Sequence, residues 1–551
     1  MLTVHKATYK ITYDSLRAVN FNSNYGERCV FGAQKHIIIN NYSAVTYNYI
    51  RSVSANETIP EATASEFAVA PAFGDGMVFQ QNEPIKIWGT SPCEGEYINA
   101  VFDGSMGYAC VKDGKWEITM APRIYSSEPK VLEIYGGEGS DYVSFENITV
   151  GDVWWVIGQS NAEYSSSAAP EWDEFESQIR GDENIVIYNI GSKGFEPGDH
   201  YRWRKFNKYS TYDASALACF TAKTISDSIG NEVPLAMLIT AYAGHEISSF
   251  MPPSLTEKSS SAGKKSIKYN DTIDYVVKMP VKGIIWYQGE ADASMAVDYS
   301  KKLSDYIEWI REVKNQQNRN FPFYTIELPP SFNDTSDPAR QFIDFGNVRC
   351  EAGGLTTSVE NYHVCVTSDL WDNRSFSNNL HPNNKKLIST RLAYMILSRE
   401  YAFGNEEAYF GPTLKEAKLS DDKLEAELTF NYCSNGLKAD SISGMIFIGS
   451  DWHPIENIKY ELVANDRIKI KSEKPIYIIR YNANTENVFA TNIFLSNSGN
   501  IPAAAFAVTF QRPSAVMAMR SNFGFLIIAG FVVILALIAI FIVIKRKKKQ
   551  Q

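Results

Sequence analysis

The stretch Gly151-Asp152-Val153-Trp154-Trp155-Val156-Ile157-Gly158-Gln159-Ser160-Asn161 constrains the fold more than any other part of the chain. Its apolar, aromatic and β-branched residues run on without alternation, which is the pattern of a strand buried on both faces. Strands of that kind belong to parallel sheets covered by helices. The run stops at Gly158, which permits a sharp turn, and Ser160 and Asn161 then place a hydroxyl and an amide at the strand's C-terminal end. Open α/β sheets receive their ligands at that end. A polar turn leaving a sheet would read the same way locally, so chemistry at Ser160 requires partners elsewhere in the chain.

The residues after Asp152 alternate between strand and helix patterns. Strands are expected over 153–157, 235–240, 283–287, 323–328 and 363–367, and helices over 214–229, 297–316 and 384–397. In the second helix Tyr299, Leu303, Tyr306, Ile307 and Ile310 recur every three or four residues and build one buried face. Such alternation gives a mainly parallel sheet with helices on both sides, an α/β fold. On either side the pattern changes to short strands with turn signals such as Asp103-Gly104 and Asp113-Gly114, the signature of small all-β units. At 551 residues the chain is too long for a single core. The expected division is an unassigned N-terminal extension over 1–69, a β-sandwich over 70–150, the α/β domain over 151–405 and a second β-domain over 406–515.

The segment 523–544 is different in kind. It holds about 22 uncharged residues, enough for a helix to cross a hydrocarbon core of roughly 30 Å. Lys545-Arg546-Lys547-Lys548-Lys549 follows, and by the positive-inside rule residues 545–551 form a basic cytoplasmic tail. The expectation is a single-pass membrane protein whose body is extracellular or lumenal. A tail-anchored protein with a cytosolic body would have to carry those five charges across the bilayer. The first residues lack an apolar leader core, so either a signal precedes them or the membrane helix itself serves as the signal. Sequons at Asn41, Asn56, Asn147, Asn270, Asn333 and Asn373 fit a lumenal route and a glycoprotein. The formal charge of −10, with no basic stripe, argues against nucleic acid as a partner. Seven scattered cysteines without a C-x-x-C pair give no zinc motif, and Cys93 with Cys110 and Cys350 with Cys365 could form disulfides. No cofactor or metal is expected.

A serine needs a base within hydrogen-bond reach to act as a nucleophile near neutral pH. His381, in Asn378-Asn379-Leu380-His381-Pro382-Asn383, lies on a loop after the last expected α/β strand, at the sheet edge expected for Ser160. His245 is the rival, on the loop after the second strand. In that loop Gly244 can offer an unobstructed backbone N–H to an oxyanion. The loop Trp286-Tyr287-Gln288-Gly289-Glu290-Ala291-Asp292 adds an amide, Gln288, for the same oxyanion. It also adds Glu290, a group able to meet a sugar hydroxyl.

Taken in order, Gly158-Gln159-Ser160-Asn161, Trp286-Tyr287-Gln288-Gly289-Glu290 and His381-Pro382 resemble the three signature blocks of the sialate O-acetylesterases, carbohydrate esterases within the SGNH hydrolases. Gly74-Asp75-Gly76-Met77-Val78-Phe79-Gln80, Pro84-Ile85-Lys86-Ile87-Trp88-Gly89, Pro252-Pro253 and Ile501-Pro502-Ala503-Ala504-Ala505-Phe506 extend the resemblance over about 70–512. It implies an SGNH-type, flavodoxin-like three-layer domain and a metal-free Ser–His esterase acting on O-acetyl esters of sialic acid. In that reading Ser160 attacks and His381 takes its proton. The oxyanion lies against the Ser160 and Gly244 N–H groups and Gln288, while Asn161, Glu290 and His245 meet the substrate. Relatives carry an acidic residue two or three positions before the histidine; here those positions are Asn379 and Asn378. The carboxylate orienting His381 is then assigned to Asp372, with Asp369, Asn378 and Asn379 open. Acetylated xylan or another polysaccharide is the alternative substrate, and a catalytically weak surface glycan-binding protein the alternative function.

Overall fold

The computed structural model describes residues 28–39, 43–53, 66–136, 141–181, 183–190, 203–256, 265–328, 345–370, 381–382, 384–439, 441–442, 444–483 and 495–510. The chain forms two compact units, neither continuous in sequence: residues 1–287, 305–323 and 385–393 in the first, and 288–304, 324–384 and 394–551 in the second. The 523–544 segment lies outside the described residues. Among the described residues no helix is long and apolar enough to cross a membrane.

The first unit is organised by one 17-residue strand, Tyr142–Gly158. Its first half pairs antiparallel with Ser126–Tyr135 and, at Thr149 to Gly151, parallel with Val78–Gln80. Its second half runs parallel between Leu235–Ala241 and Gly283–Tyr287. Position 150/151 therefore falls inside a continuous strand that serves both the N-terminal β-strands and the parallel sheet. The sequence explains the switch of partners. Up to Glu146 alternate residues are exposed, whereas from Val150 to Gln159 every residue is buried. Gly151 marks the change, because a Cβ there would lie 1.9 Å from the Pro234 carbonyl oxygen. Gln80, at the end of its own short strand, fixes this point: its Oε1 accepts from Val153 N at 2.8 Å and its Nε2 donates to buried Asp152 at 3.2 Å.

Ile185–Asn189 extends the sheet beyond Leu235–Ala241 in parallel, and Arg204–Lys205 closes that edge antiparallel. These two strands were not among those expected. Helix Ala216–Ser228 begins at Ser215, whose Oγ accepts from Ala218 N and donates to the Ala162 carbonyl at 2.5 Å. That one side chain both caps the helix and holds the turn after Gly158.

In the second unit Phe323–Ile326, whose first residue belongs to the first unit, and Tyr362–Cys365 neighbour one another. Helix Phe345–Gly354 was not expected, since its three glycines weaken helix propensity. The glycines serve packing: a Cβ at Gly346 would lie 1.9 Å from the Ala483 carbonyl oxygen, and one at Gly353 1.8 Å from that of Ala505. The C-terminal strands form a four-stranded antiparallel sheet and a three-stranded sheet around Leu428, Ile468, Ile470, Ile476 and Ile479. Together the two units give a mixed α/β fold with strand-rich segments before and after the parallel strands.

Two expectations about cysteines are corrected. Cys110 is a free, exposed thiol and Cys350 a free, buried one, so neither proposed disulfide forms. The Cys350 Sγ instead faces the carbonyls of Tyr481 and Phe506 at 3.5 and 3.3 Å. Burial pushes its pKa up to about 11, so the thiol stays protonated.

Candidate functional site

Ser160 is the first residue of a four-residue helix, Ser160–Glu163, directly after the central strand. Its N-cap Gln159 is extended, and Gln159 O accepts from the N–H groups of Ala162 and Glu163 at 2.8 Å each. Gly158 makes the turn possible: a Cβ there would lie 2.1 Å from the Tyr287 carbonyl oxygen and 2.8 Å from the Ala162 Cβ. Ala162 is fully buried. Ser160 itself is half-buried.

Two hydrogen bonds bring the loop after Leu235–Ala241 beside this turn. Tyr242 N donates to Gly158 O at 2.9 Å, and Ala243 N donates to Glu163 Oε2 at 2.8 Å. Gly244 follows with φ +71°, a left-handed conformation natural to glycine, and open space where a Cβ would stand. The structure thus places Ser160, Asn161 and Gly244 together. His245 is held by its own backbone, Nδ1 lying 2.9 Å from the Ala243 carbonyl, with its ring edge-on to Tyr242.

Asn161 is completely buried, and its Oδ1 accepts from Lys385 Nζ at 2.6 Å. Lys385, also completely buried, sits over the rings of Tyr164 and Tyr287 at 4.8 and 5.5 Å. With Oδ1 so engaged, the orientation of the Asn161 side-chain amide is fixed. Lys385 carried no sequence signal beyond opening a helix. A buried ammonium held by an amide oxygen and two aromatic faces is legible only in three dimensions.

In the second unit Gln288 is buried and fixed at both ends of its amide. Tyr299 Oη donates to Gln288 Oε1 at 3.0 Å and to its carbonyl at 2.9 Å, while Gln288 Nε2 donates to Asp292 Oδ2 at 2.6 Å. This network assigns the amide orientation. Neither Asp292 nor Tyr299 was assigned a site role from sequence. Glu290 is half-buried at the start of the 3-10 helix Glu290–Asp298. His381 is half-buried, four residues before Lys385 in sequence. Asp372, Asn378 and Asn379 lie outside the described residues, whereas Asp369 is half-buried. If Gln288 serves as an oxyanion donor, Tyr299→Phe should lower kcat about tenfold with KM little changed, because the amide loses its anchor. Steady-state kinetics on a small acetyl ester measures the split.

Residues 150–379 match the family described as carbohydrate esterase, sialic acid-specific acetylesterase. Sialate O-acetylesterase from Homo sapiens is 28% identical over 181 residues, covering 30% of this chain and 33% of the relative. The enzyme from Rattus norvegicus is 29% identical over 180 residues, covering 30% and 32%. The chain thus spans about a third of the length of these curated relatives. A crystal structure of a carbohydrate acetylesterase from Xanthomonas citri aligns with TM-score 0.63 at 23% identity, over 81% of this chain and all of that one, a likeness of fold. The second half of the central strand, the Ser160 turn and the strands Leu235–Ala241 and Gly283–Tyr287 lie inside the matched segment, so residues 150–379 are similar to the sialic acid-specific acetylesterase family of carbohydrate esterases.

Proposed function

We propose that this protein is a membrane-anchored carbohydrate O-acetylesterase, a serine carboxylic ester hydrolase acting on O-acetyl esters of sialic acid. The observation that carries the proposal is the Ser160 turn: a hydroxyl at the end of a buried parallel strand, beside the Gly244 backbone, in a segment matching that family. In the proposed reaction the Ser160 Oγ attacks the acetyl carbonyl as His381 takes its proton. The tetrahedral oxyanion lies against the N–H groups of Ser160 and Gly244 and the Gln288 amide. Donors of this kind contribute about 3 kcal/mol each to transition-state stabilisation. The intermediate then expels the sugar hydroxyl, which takes the proton back from His381. Water, deprotonated by His381, attacks the acetyl-serine and releases acetate. Asp372 orients His381, and Asn161, Glu290 and His245 meet the sugar. A panel of O-acetylated sialic acids, acetylated xylan and a generic acetyl ester tests the assignment. Acetate release fastest from the sialic acids supports it; preference for xylan would move the substrate to plant polysaccharide, and no release from any ester would remove the activity.

Anchoring follows from the 523–544 segment and the basic residues after it. Protease added to intact cells should release the body of the protein, with sequons such as exposed Asn147 glycosylated. Complete protection of an unglycosylated chain would place the body in the cytosol instead.

A further inference from the structure

The N-terminal strands carry a second surface that takes no part in the site above. Ser105–Cys110, Tyr97–Phe102, Ser126–Tyr135 and the first half of Tyr142–Gly158 lie side by side in that order. One face is the core, with Ile98, Ala100, Phe102, Leu132 and Ile134 all buried. Alternation sends Tyr97, Asn99, Glu133 and Tyr135 to the other face. The register aligns residues there across all four strands: Tyr142 opposes Tyr135, Tyr135 opposes Asn99, and Asn99 opposes Tyr108. Ring pairs flank the row, Tyr135 with Tyr142 at 5.2 Å and Tyr97 with Tyr108 at 5.9 Å between centroids. Tyr108 and Tyr142 are 65% and 52% exposed. The hydroxyls of Tyr135 and Tyr142 both donate to Glu133 Oε1, at 3.1 and 3.0 Å.

We infer that this row is a glycan-binding surface, separate from the ester-cleaving site, that holds a neutral oligosaccharide chain. Three inter-strand steps of about 4.8 Å make the row roughly 14 Å long, a span suited to a short extended chain rather than one sugar. A pyranose presents a flat face of C–H groups rimmed by hydroxyls. Tyrosine meets both, with an apolar ring and a polar tip. Glu133 and Ser144 beside the row supply carboxylate and hydroxyl partners, Asn99 between the tyrosines is buried, and none of these residues is a lysine or arginine. That composition disfavours an anionic lipid or a sialylated terminus, which would meet Glu133 without a compensating cation.

The inference needs neither Ser160 nor hydrolysis, so the full chain carrying Ser160→Ala is the test protein. Xylohexaose, cellohexaose and oligo-N-acetyllactosamine serve as probes in calorimetry and affinity electrophoresis. At least one neutral chain should bind, and Tyr108→Ala with Tyr142→Ala should weaken that binding about tenfold or more. In the Ser160 background, hydrolysis of a small acetyl ester by the same double variant should equal the parent's. Tyr108→Phe with Tyr142→Phe, which keeps the rings, should retain more of the binding than the alanine pair. Binding unaffected by the alanine pair, or binding confined to anionic glycans or to no glycan, would overturn the inference. Failure of hydrolysis with intact, tyrosine-dependent binding would sink the esterase reading alone.

Discussion

Ser160→Ala is expected to lower kcat for acetate release on the order of 10⁴-fold or more, with the substrate still bound. Deleting the nucleophile of a serine hydrolase leaves only what the oxyanion donors and binding contribute. The change should be invisible to the fold. Ser160 is half-buried, on the turn that follows the central strand. Surface substitutions of that kind stay within about 0.5 kcal/mol. A variant that melts like the parent and hydrolyses a generic acetyl ester at the parent's rate would remove Ser160 from the chemistry.

The second large effect concerns stability. Glu327 follows the Phe323–Ile326 strand and is completely buried, with Oε1 accepting from Ala505 N at 3.1 Å and Oε2 from Thr367 N at 3.3 Å. Burial raises its pKa above the ordinary carboxylate value, with the charge of Arg349 and the two backbone N–H groups opposing the rise. Glu327→Ala strands two backbone donors and removes the carboxylate that balances Arg349, so it should destabilise the protein by about 3 kcal/mol. Urea midpoints of parent and variant measure this. The raised pKa also fixes a sign. The folded state holds this proton more tightly than the unfolded chain, whose glutamates titrate near pH ~4.3. Stability contributed at this site therefore falls as pH rises from that value through the folded pKa, and is level above it. The difference between parent and Glu327→Gln should shrink over that window and then stay constant; a difference independent of pH would contradict the raised pKa.

What the sequence discloses and what it conceals divide along physical lines. The central strand was legible because it is buried on both faces, so nothing polar interrupts Val153 to Ile157. Helix Tyr299–Lys314 was legible for its regular apolar face, with Leu303, Tyr306, Ile307 and Ile310 all buried. Helix Phe345–Gly354 was hidden, because its glycines answer to close backbone approach rather than to helix propensity. Ile185–Asn189 is short and near the sheet edge, and its apolar run gives no sign of the partner strand. At the site, Ser160, Gly244 and Gln288 announce themselves by residue type and position on loops. The groups that hold them do not. Lys385 lies 224 positions from the Asn161 it orients, and Tyr299 reads as one more apolar helix position although its hydroxyl fixes Gln288. Glu163, which tethers the Gly244 loop through Ala243, looks from sequence like an ordinary first-turn acid.

The central claim, that Ser160 is a nucleophile activated by His381, is tested most directly by a fluorophosphonate probe read out by peptide mass spectrometry. The account predicts one adduct, on the Ser160 Oγ, forming rapidly in the parent protein and slowed at least on the order of 10²-fold in His381→Ala. An adduct on another residue, or Ser160 labelled equally fast without the imidazole, would contradict it.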